Sequence, residues 1–272
     1  MYRSIRIYKS MEKNLFRSLT VLADGEQVTG FCYARLTGRE VLGLLPLPYT
    51  LRLLNLPDSG TGLLYAAGNL SVLRDGSLLA WGRVSAVLRQ TVPEGKLTEV
   101  VFSPGLSLWE APVSLSVEAG VFVSETLRRI LAASGTGISL LAFPGPDPVR
   151  TRGQAFYGRA AECAEEALSA VPARACLSPA GLRVIPAEGL PVSLYLTERD
   201  LIDAPFFTDG QMILRTTVTG WLVGERISVK WKDGSAEGLV TERRMDIDTL
   251  NGKWESMLLI SLKADQQRQM LN

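Results

Sequence analysis

The sequence predicts a mainly β protein with an α/β insertion, an α+β chain of two similar small β-barrels plus a helix-containing module. Three observations predict it. Short runs of alternating apolar and polar residues, punctuated by Gly, Pro, Asn and Asp, fill both ends of the chain. Helical periodicity is confined to the middle. The two ends also share an order of pieces: strand, Asp-Gly-Ser, glycine, long strand, turn, strand. The resulting division is a first β-barrel over 1–118, an α/β module over 119–190 and a second β-barrel over 191–272, with barrels open to completion by distant strands.

Along the first part, "SIRIY" at 4–8 opens with alternation and "ADGEQ" at 23–27 is a turn. "TLRLLNL" at 50–56 is strand-like and "PDSG" stops it. "LSVLR" and "SLLAWGRVSAVLRQ" flank Asp75-Gly76, a dipeptide suited to a tight hairpin. Alternation from Arg83 to Arg89 points Val84, Ala86 and Leu88 one way and Arg83, Ser85, Val87 and Arg89 the other. Gly82 inside this pattern predicts a bulge or a close backbone approach. "PEGK" at 93–96 turns the chain into "LTEVVFS".

In the middle, Ser124 precedes a helical run with Leu127, Ile130 and Leu131 at helical spacing, and Gly135 is its stop. "ISLLAF" reads as a short buried strand, and "PGPDPVRTRG" as a loop. "QAFYGRAAECAEEALSAV" reads as one helix with Phe156, Ala160, Cys163, Ala167 and Val171 on one side, ended by Pro172. "ARACLSPAGLRVIPA" is a hairpin. The module therefore runs helix, strand, helix, hairpin.

In the last part "TDGQ" at 208–211 is a turn, and "QMILRTTVTG" and "RISVKW" are strands. Ile227, Val229 and Trp231 share one face of the second, and Arg226, Ser228 and Lys230 the other. "KDGS" turns the chain, "GLVTERRM" returns, Asn251-Gly252 marks a hairpin, and "WESMLLISLKA" closes the sheet ahead of a polar tail. The early and late ribbons thus read alike, differing by two residues between Asp-Gly-Ser and the next glycine. Three chains each carrying two such units present six, an arrangement able to adapt a threefold object to a sixfold one.

At 272 residues, 46% hydrophobic and 21% charged, the chain has an ordinary globular composition. With 29 basic and 28 acidic residues it lacks the basic excess of a phosphate-binding surface. Cys32, Cys163 and Cys176 form no C-x-x-C and read as reduced thiols of a cytosol-made protein, a Cys163–Cys176 bridge being the alternative. The N-terminus has no apolar core of a signal peptide, and Pro, Arg52, Glu110 and Glu118 interrupt the greasiest stretches, so no membrane span is expected.

The absence of histidine excludes Ser-His, Cys-His and H-E-x-x-H chemistry within this chain. Three scattered cysteines supply neither the number nor the spacing of a structural zinc site. Glu162 and Glu166 share a helix face, the one arrangement able to do paired-carboxylate work, but with Glu165 they read as a solvated face. "DIDTLNG" at 246–252 lacks the ligand order of a calcium loop and reads as a turn. Gly60/Gly62 and Gly135/Gly137 lack the third glycine of a dinucleotide loop and read as turns and a helix stop. Trp81, Trp109, Trp221, Trp231 and Trp254 read as core or interface filling; Arg83, Arg89, Arg243 and Arg244 read as polar barrel exterior, with contact to nucleic acid the sharper alternative. No catalytic, cofactor-binding or metal-binding residue is assigned.

From residue 50 onward the order of pieces resembles the baseplate hub proteins of phage tails, the family that caps the tail tube in phages and related particles. The stretches that carry it are "TLRLLNLPDSG", "LLAWGRVSAVLRQTVPEGKLTEVVFSPG", "ETLRRILAASG", "AFYGRAAECAEEALSAV", "ACLSPAGLRVI", "LIDAPFFTDGQMILRTTVTGWLVGERISVKW" and "GLVTERRMDIDTLNGKWESMLLISL". The first forty residues match least, and Pro57 after the Asn-Leu pair departs from the pattern. The resemblance implies a non-enzymatic homotrimeric ring with two barrels per subunit. The ring joins a sixfold tail tube protein to a threefold spike or tail-tip protein and lines the channel. It implies a chain made in the host cytoplasm and built into a virion or phage-like particle, with no membrane insertion and no sequence-specific nucleic-acid binding. Two other readings fit the same composition: a β-barrel module binding glycan or single-stranded nucleic acid, and a wall-degrading tail enzyme.

Overall fold

The computed structural model describes residues 19–262 except Glu188, Asp209, Thr219 and Trp221. The alternation expected at 4–8, the polar tail and Trp221 lie outside the described residues. Asp24 and Gly25 take positive φ at the expected turn and join strands β1 (Leu19–Ala23) and β2 (Glu26–Val28). Strands β3 (Tyr33–Val41) and β4 (Tyr49–Leu54) follow as an antiparallel pair. Pro57-Asp58 does not turn the chain, contrary to expectation. Pro57 caps a helix, α1 (Asp58–Ala66), that contains both Gly60 and Gly62. Proline's fixed φ suits a helix start, and burial of Leu64 supports a helix that two glycines alone would disfavour.

Asp75 and Gly76, both at positive φ, connect β5 (Asn69–Arg74) to β6 (Ser77–Val92), and β7 (Gly95–Ser103) returns along β6. The unbroken alternation read from Arg83 to Arg89 is corrected here. A bulge between Val84 and Ala86 reverses the facing of everything after it. Val84 and Val87 consequently pack on the same core, while Leu88 is turned out to 59% exposure.

The middle holds α2 (Leu106–Glu110), β8 (Pro112–Val117), α3 (Val123–Ser134), β9 (Leu140–Ala142), β10 (Gln154–Arg159), α4 (Ala160–Leu168), β11 (Ala173–Ser178) and β12 (Gly181–Pro186). Helix α3 buries Leu127, Ile130 and Leu131 and ends on Gly135 at φ 64, as expected. Ser124 is inside the helix rather than capping it, and its N–H is taken by the Asp147 carboxylate at 3.0 Å. The long helix expected from Gln154 is shorter: its first six residues are β10, paired antiparallel with β8. Pairing with a distant strand overrides local helix propensity there. Strand β9, expected to be buried, has Leu141 42% exposed.

The last part holds β13 (Val192–Thr197), a short 3₁₀ turn, β14 (Phe206–Thr208), β15 (Gln211–Thr216), β16 (Arg226–Trp231), β17 (Gly234–Asp248) and β18 (Lys253–Leu262). The chain is β-dominant, but the expected closed barrels are replaced among the described residues by one continuous 13-stranded sheet whose path runs from β14 to β2, with β16 and β13 branching from β17. The reason is β17. Its first half pairs with β16, its second half pairs with β3, and β18 runs along its opposite edge. Strands from the two ends of the sequence are thereby welded at β3–β17. Three apolar cores result: one around Leu36, Leu51, Val72 and Phe102; one around α3 and α4; one around Leu214, Val229 and Ile260.

Candidate assembly interface

The sheet order β3-β4-β7-β6-β5-β1 is matched by β14-β15-β18-β17-β16-β13. The match extends to individual residues. Leu70, Ser71 and Val72 of β5 oppose Gly82, Trp81 and Ala80 of β6. Ile227, Ser228 and Val229 of β16 oppose Gly238, Glu237 and Ala236 of β17 in the same register. Both long strands then bulge three residues after the glycine. The bulged residue carries a hydroxyl that donates to the facing strand: Ser85 Oγ to the Val101 carbonyl at 3.1 Å, and Thr241 Oγ1 to the Leu259 carbonyl at 3.2 Å. The preceding valines match too, Val84 N–H donating to Gly68 and Val240 N–H to Glu225, each at 2.9 Å. A side chain at either glycine would collide with backbone, that of Ser103 for Gly82 and that of Ser261 for Gly238.

The shared Asp-Gly-Ser that first signals the repeat is not its structural equivalent. Asp75-Gly76 forms the turn of the first ribbon, whereas Lys232-Asp233 forms the turn of the second. The two units also differ at the outside, where β1 runs antiparallel to β5 and β13 parallel to β16.

The seam between the units is a seven-pair antiparallel ladder from Val41↔Glu242 to Arg35↔Asp248. One face is charged. Arg39 grips Glu242 with two bonds of 2.8 and 2.7 Å, Arg244 reaches the same carboxylate at 2.7 Å, and Asp246 accepts from Arg35 and Lys253. Burial pushes Glu242 up, but hydrogen bonds from Arg39 and Arg244 outweigh it and hold its carboxyl below the ordinary range.

The other face carries Arg243, expected on a polar exterior but only 1% exposed. The β17 bulge between Val240 and Glu242 reverses the alternation and sends it inward. Its guanidinium donates to Glu40 at 2.9 Å, to the Leu79 carbonyl at 2.7 Å and to the Gly220 carbonyl. It therefore ties β17, β3, β6 and the β15–β16 connection together. Burial raises the Glu40 carboxyl to about 7, with the Arg243 charge opposing the rise.

The remaining sequence candidates disperse. Glu162 lies 3.4 Å from the Arg159 N–H, Glu165 accepts from Leu44 N–H and Glu166 from Gln154. Asp248 accepts from the Leu250 and Asn251 N–H groups, as a turn requires. Trp254 is buried, Trp109 lies beneath the Arg159 guanidinium and Trp231 packs on Phe207. Arg83 pairs with Glu110 and Arg89 with Asp58. An open cleft of about 710 Å³ lies over Trp109, Pro112, Tyr157, Arg159 and Glu162. Cys163 and Cys176 are both free and buried, and burial pushes the Cys176 thiol up to about 12; Cys32 is free and exposed. Among the described residues no cluster of three or more His, Cys, Asp or Glu could hold a metal ion.

No family model matches this sequence, and no curated protein matches it. Solved structures do, over nearly the whole chain. The fold is that of phage and prophage tail proteins. The tail protein of Neisseria meningitidis MC58 matches with a TM-score of 0.66 at 13% identity, over 91% of this chain and 96% of its own. The 43 kDa tail protein of prophage MuSo2 from Shewanella oneidensis matches with a TM-score of 0.66 at 10% identity, over 90% and 96%. An Escherichia coli type VI secretion component, described as structurally similar to the T4 tail proteins gp27 and gp5, matches with a TM-score of 0.64 at 12% identity, over 90% and 77%.

Proposed function

We propose that the chain is a structural subunit of a phage or prophage-like tail: a baseplate hub that forms a homotrimeric ring and adapts a sixfold tube to a threefold spike or tail-tip protein. The observation that carries this reading is the duplication, register for register, of the β5-β6-β7 ribbon in β16-β17-β18. A chain with two equivalent β units supplies six when three copies close a ring. Tail proteins matched over about nine-tenths of both chains support the same role. In this reading the units 1–118 and 191–272 are the ring-forming parts and 119–190 is an accessory module; the work is assembly and channel lining, not catalysis. Synthesis is in the bacterial cytoplasm, followed by incorporation into the particle. No helix among the described residues is long and apolar enough to cross a membrane.

Negative-stain microscopy of the purified protein, with its mass measured by light scattering, tests this. Threefold rings with a central pore and a near-sixfold outline are expected. A protein that stays monomeric at high concentration overturns the ring.

A further inference from the structure

The internal seam uses β3 of the first unit and the second half of β17 of the second. Each has an equivalent left over. Through the shared register on β7 and β18, β14 corresponds to the Thr37–Arg39 part of β3, and Ala86–Val92 of β6 corresponds to Glu242–Asp248 of β17. Among the described residues, strand β14 ends the sheet order and no strand lies along the second edge of β6 beyond Val84. The Ala86–Val92 edge of β6 and, at Phe207, the edge of β14 are thus the positions that their equivalents fill with each other.

From this we infer that β14 of one copy pairs antiparallel with Ala86–Val92 of a second copy of this chain, repeating the internal seam between molecules. The register is transferred from the seam: Gly38↔Met245 becomes Phe207↔Arg89, and Thr37↔Asp246 becomes Phe206↔Gln90. Backbone direction agrees. In the seam, Leu42 N–H donates to Thr241 and Thr249 N–H to Ala34, so alternate residues Arg243, Met245 and Ile247 point their backbone groups at β3. Their equivalents Val87, Arg89 and Thr91 point theirs away from β7, and Phe207 stands where Gly38 does. Phe207 and Arg89 then exchange two backbone hydrogen bonds, while proline at 205 accepts through its carbonyl alone.

Side chains favour the same occupant. Phe206, 63% exposed, comes to lie on one face with Gln90 and its diagonal neighbours Leu88, 59% exposed, and Val92. Two of the largest exposed apolar groups cover each other. Where the internal seam carries Arg35, Arg39, Glu242 and Asp246 on this face, the external one carries no charge. The contact is heterologous, since β14 and β6 are different surfaces, and such contacts build rings when the rotation closes.

This inference rests on the proposed ring, yet it can fail separately. In a Cys32→Ser background, which leaves only buried cysteines, the pair Phe206→Cys with Gln90→Cys occupies a non-hydrogen-bonded site suited to a disulfide. Oxidation is expected to yield chains linked to one another on a non-reducing gel, with none from either single variant or from Phe206→Cys with Val87→Cys on the opposite face. Leu88→Lys and Phe206→Lys, at exposed positions that leave the monomer's melting unchanged, are each expected to weaken self-association at least about tenfold, and Leu88→Glu with Phe206→Lys to restore it. A trimeric mass without the cross-link overturns this strand pairing and leaves the ring; cross-linked open polymers support the pairing and overturn the trimer. A disulfide within one chain, no self-association, or pairing of this edge with the chain's own residues 1–18 in an experimental structure overturns the inference.

Discussion

Arg243 and Arg244 are neighbours in sequence, yet one is buried against Glu40 and the other lies on the charged face of the seam. Removing one partner of a buried pair strands the other's charge, so Arg243→Met is expected to cost roughly 3–5 kcal/mol, with Arg243→Met/Glu40→Leu recovering much of that loss. Urea titration of the two variants measures both. The pH dependence has a definite sign. Burial raises Glu40 from 4.5 to about 7, so the folded state holds that proton more tightly than the unfolded chain. Its contribution to stability is complete below about 4.5 and lost as pH rises through about 7. Glu242, Asp246 and Asp248, all lowered, act the other way and lose their contribution on acidification. A Glu40→Gln variant is therefore expected to differ least from wild type near pH 5 and most above pH 8, read by thermal melts across that range; a difference independent of pH contradicts the assignment.

At the scale of elements, the two bulges organise the long strands. The β17 bulge takes that strand from the core of Val240 to the core of Met245 and Ile247, whereas the β6 bulge keeps Val84 and Val87 on one core and turns Leu88 out, because adding one residue exchanges the faces of all that follow. The glycines three residues earlier make that geometry possible by admitting the backbone of Ser103 and Ser261. Gly82→Ala and Gly238→Ala are each expected to lose about 2–3 kcal/mol through overpacking. Gly62→Ala, in α1 with nothing within 4 Å of the new methyl, is expected to gain roughly 0.5–1 kcal/mol. Chemical denaturation of the three variants checks the contrast; equal effects would mean the bulge glycines are merely conformational. Gly82 was legible in the sequence as a bulge or close approach, but the bulge itself falls at Ser85, and nothing in the local alternation marks it. The β10 segment was misread for a related reason: six residues compatible with a helix are claimed by β8, about forty positions earlier in the chain.

For the whole molecule, the consequence of duplication is that one polypeptide contains both halves of its own joint. The seam β3–β17 is satisfied internally; of its counterparts, β14 comes last in the strand order of the described residues, and β6, paired along its length with β7, has no strand on its second edge beyond Val84 among those residues. In the proposed ring, the same joint is the rule for adding the next copy. Microscopy and cross-linking address two parts of that rule, the number of copies and the strands that join them.

Turn dipeptides, period-two alternation and a helix stop at Gly135 were enough for the sequence alone to determine a β-dominant chain with a helical middle and two related ribbons. These signals are local, and each depends only on the conformations its own residues allow. Tertiary structure alone decided that the barrels open into one sheet, that Asp-Gly-Ser is not the true equivalence, and that Arg243 is interior. Those outcomes depend on a one-residue bulge and on which of two edges a distant strand occupies. Neither leaves a trace in the periodicity of the residues themselves, because strand pairing is a choice among partners far apart in the chain.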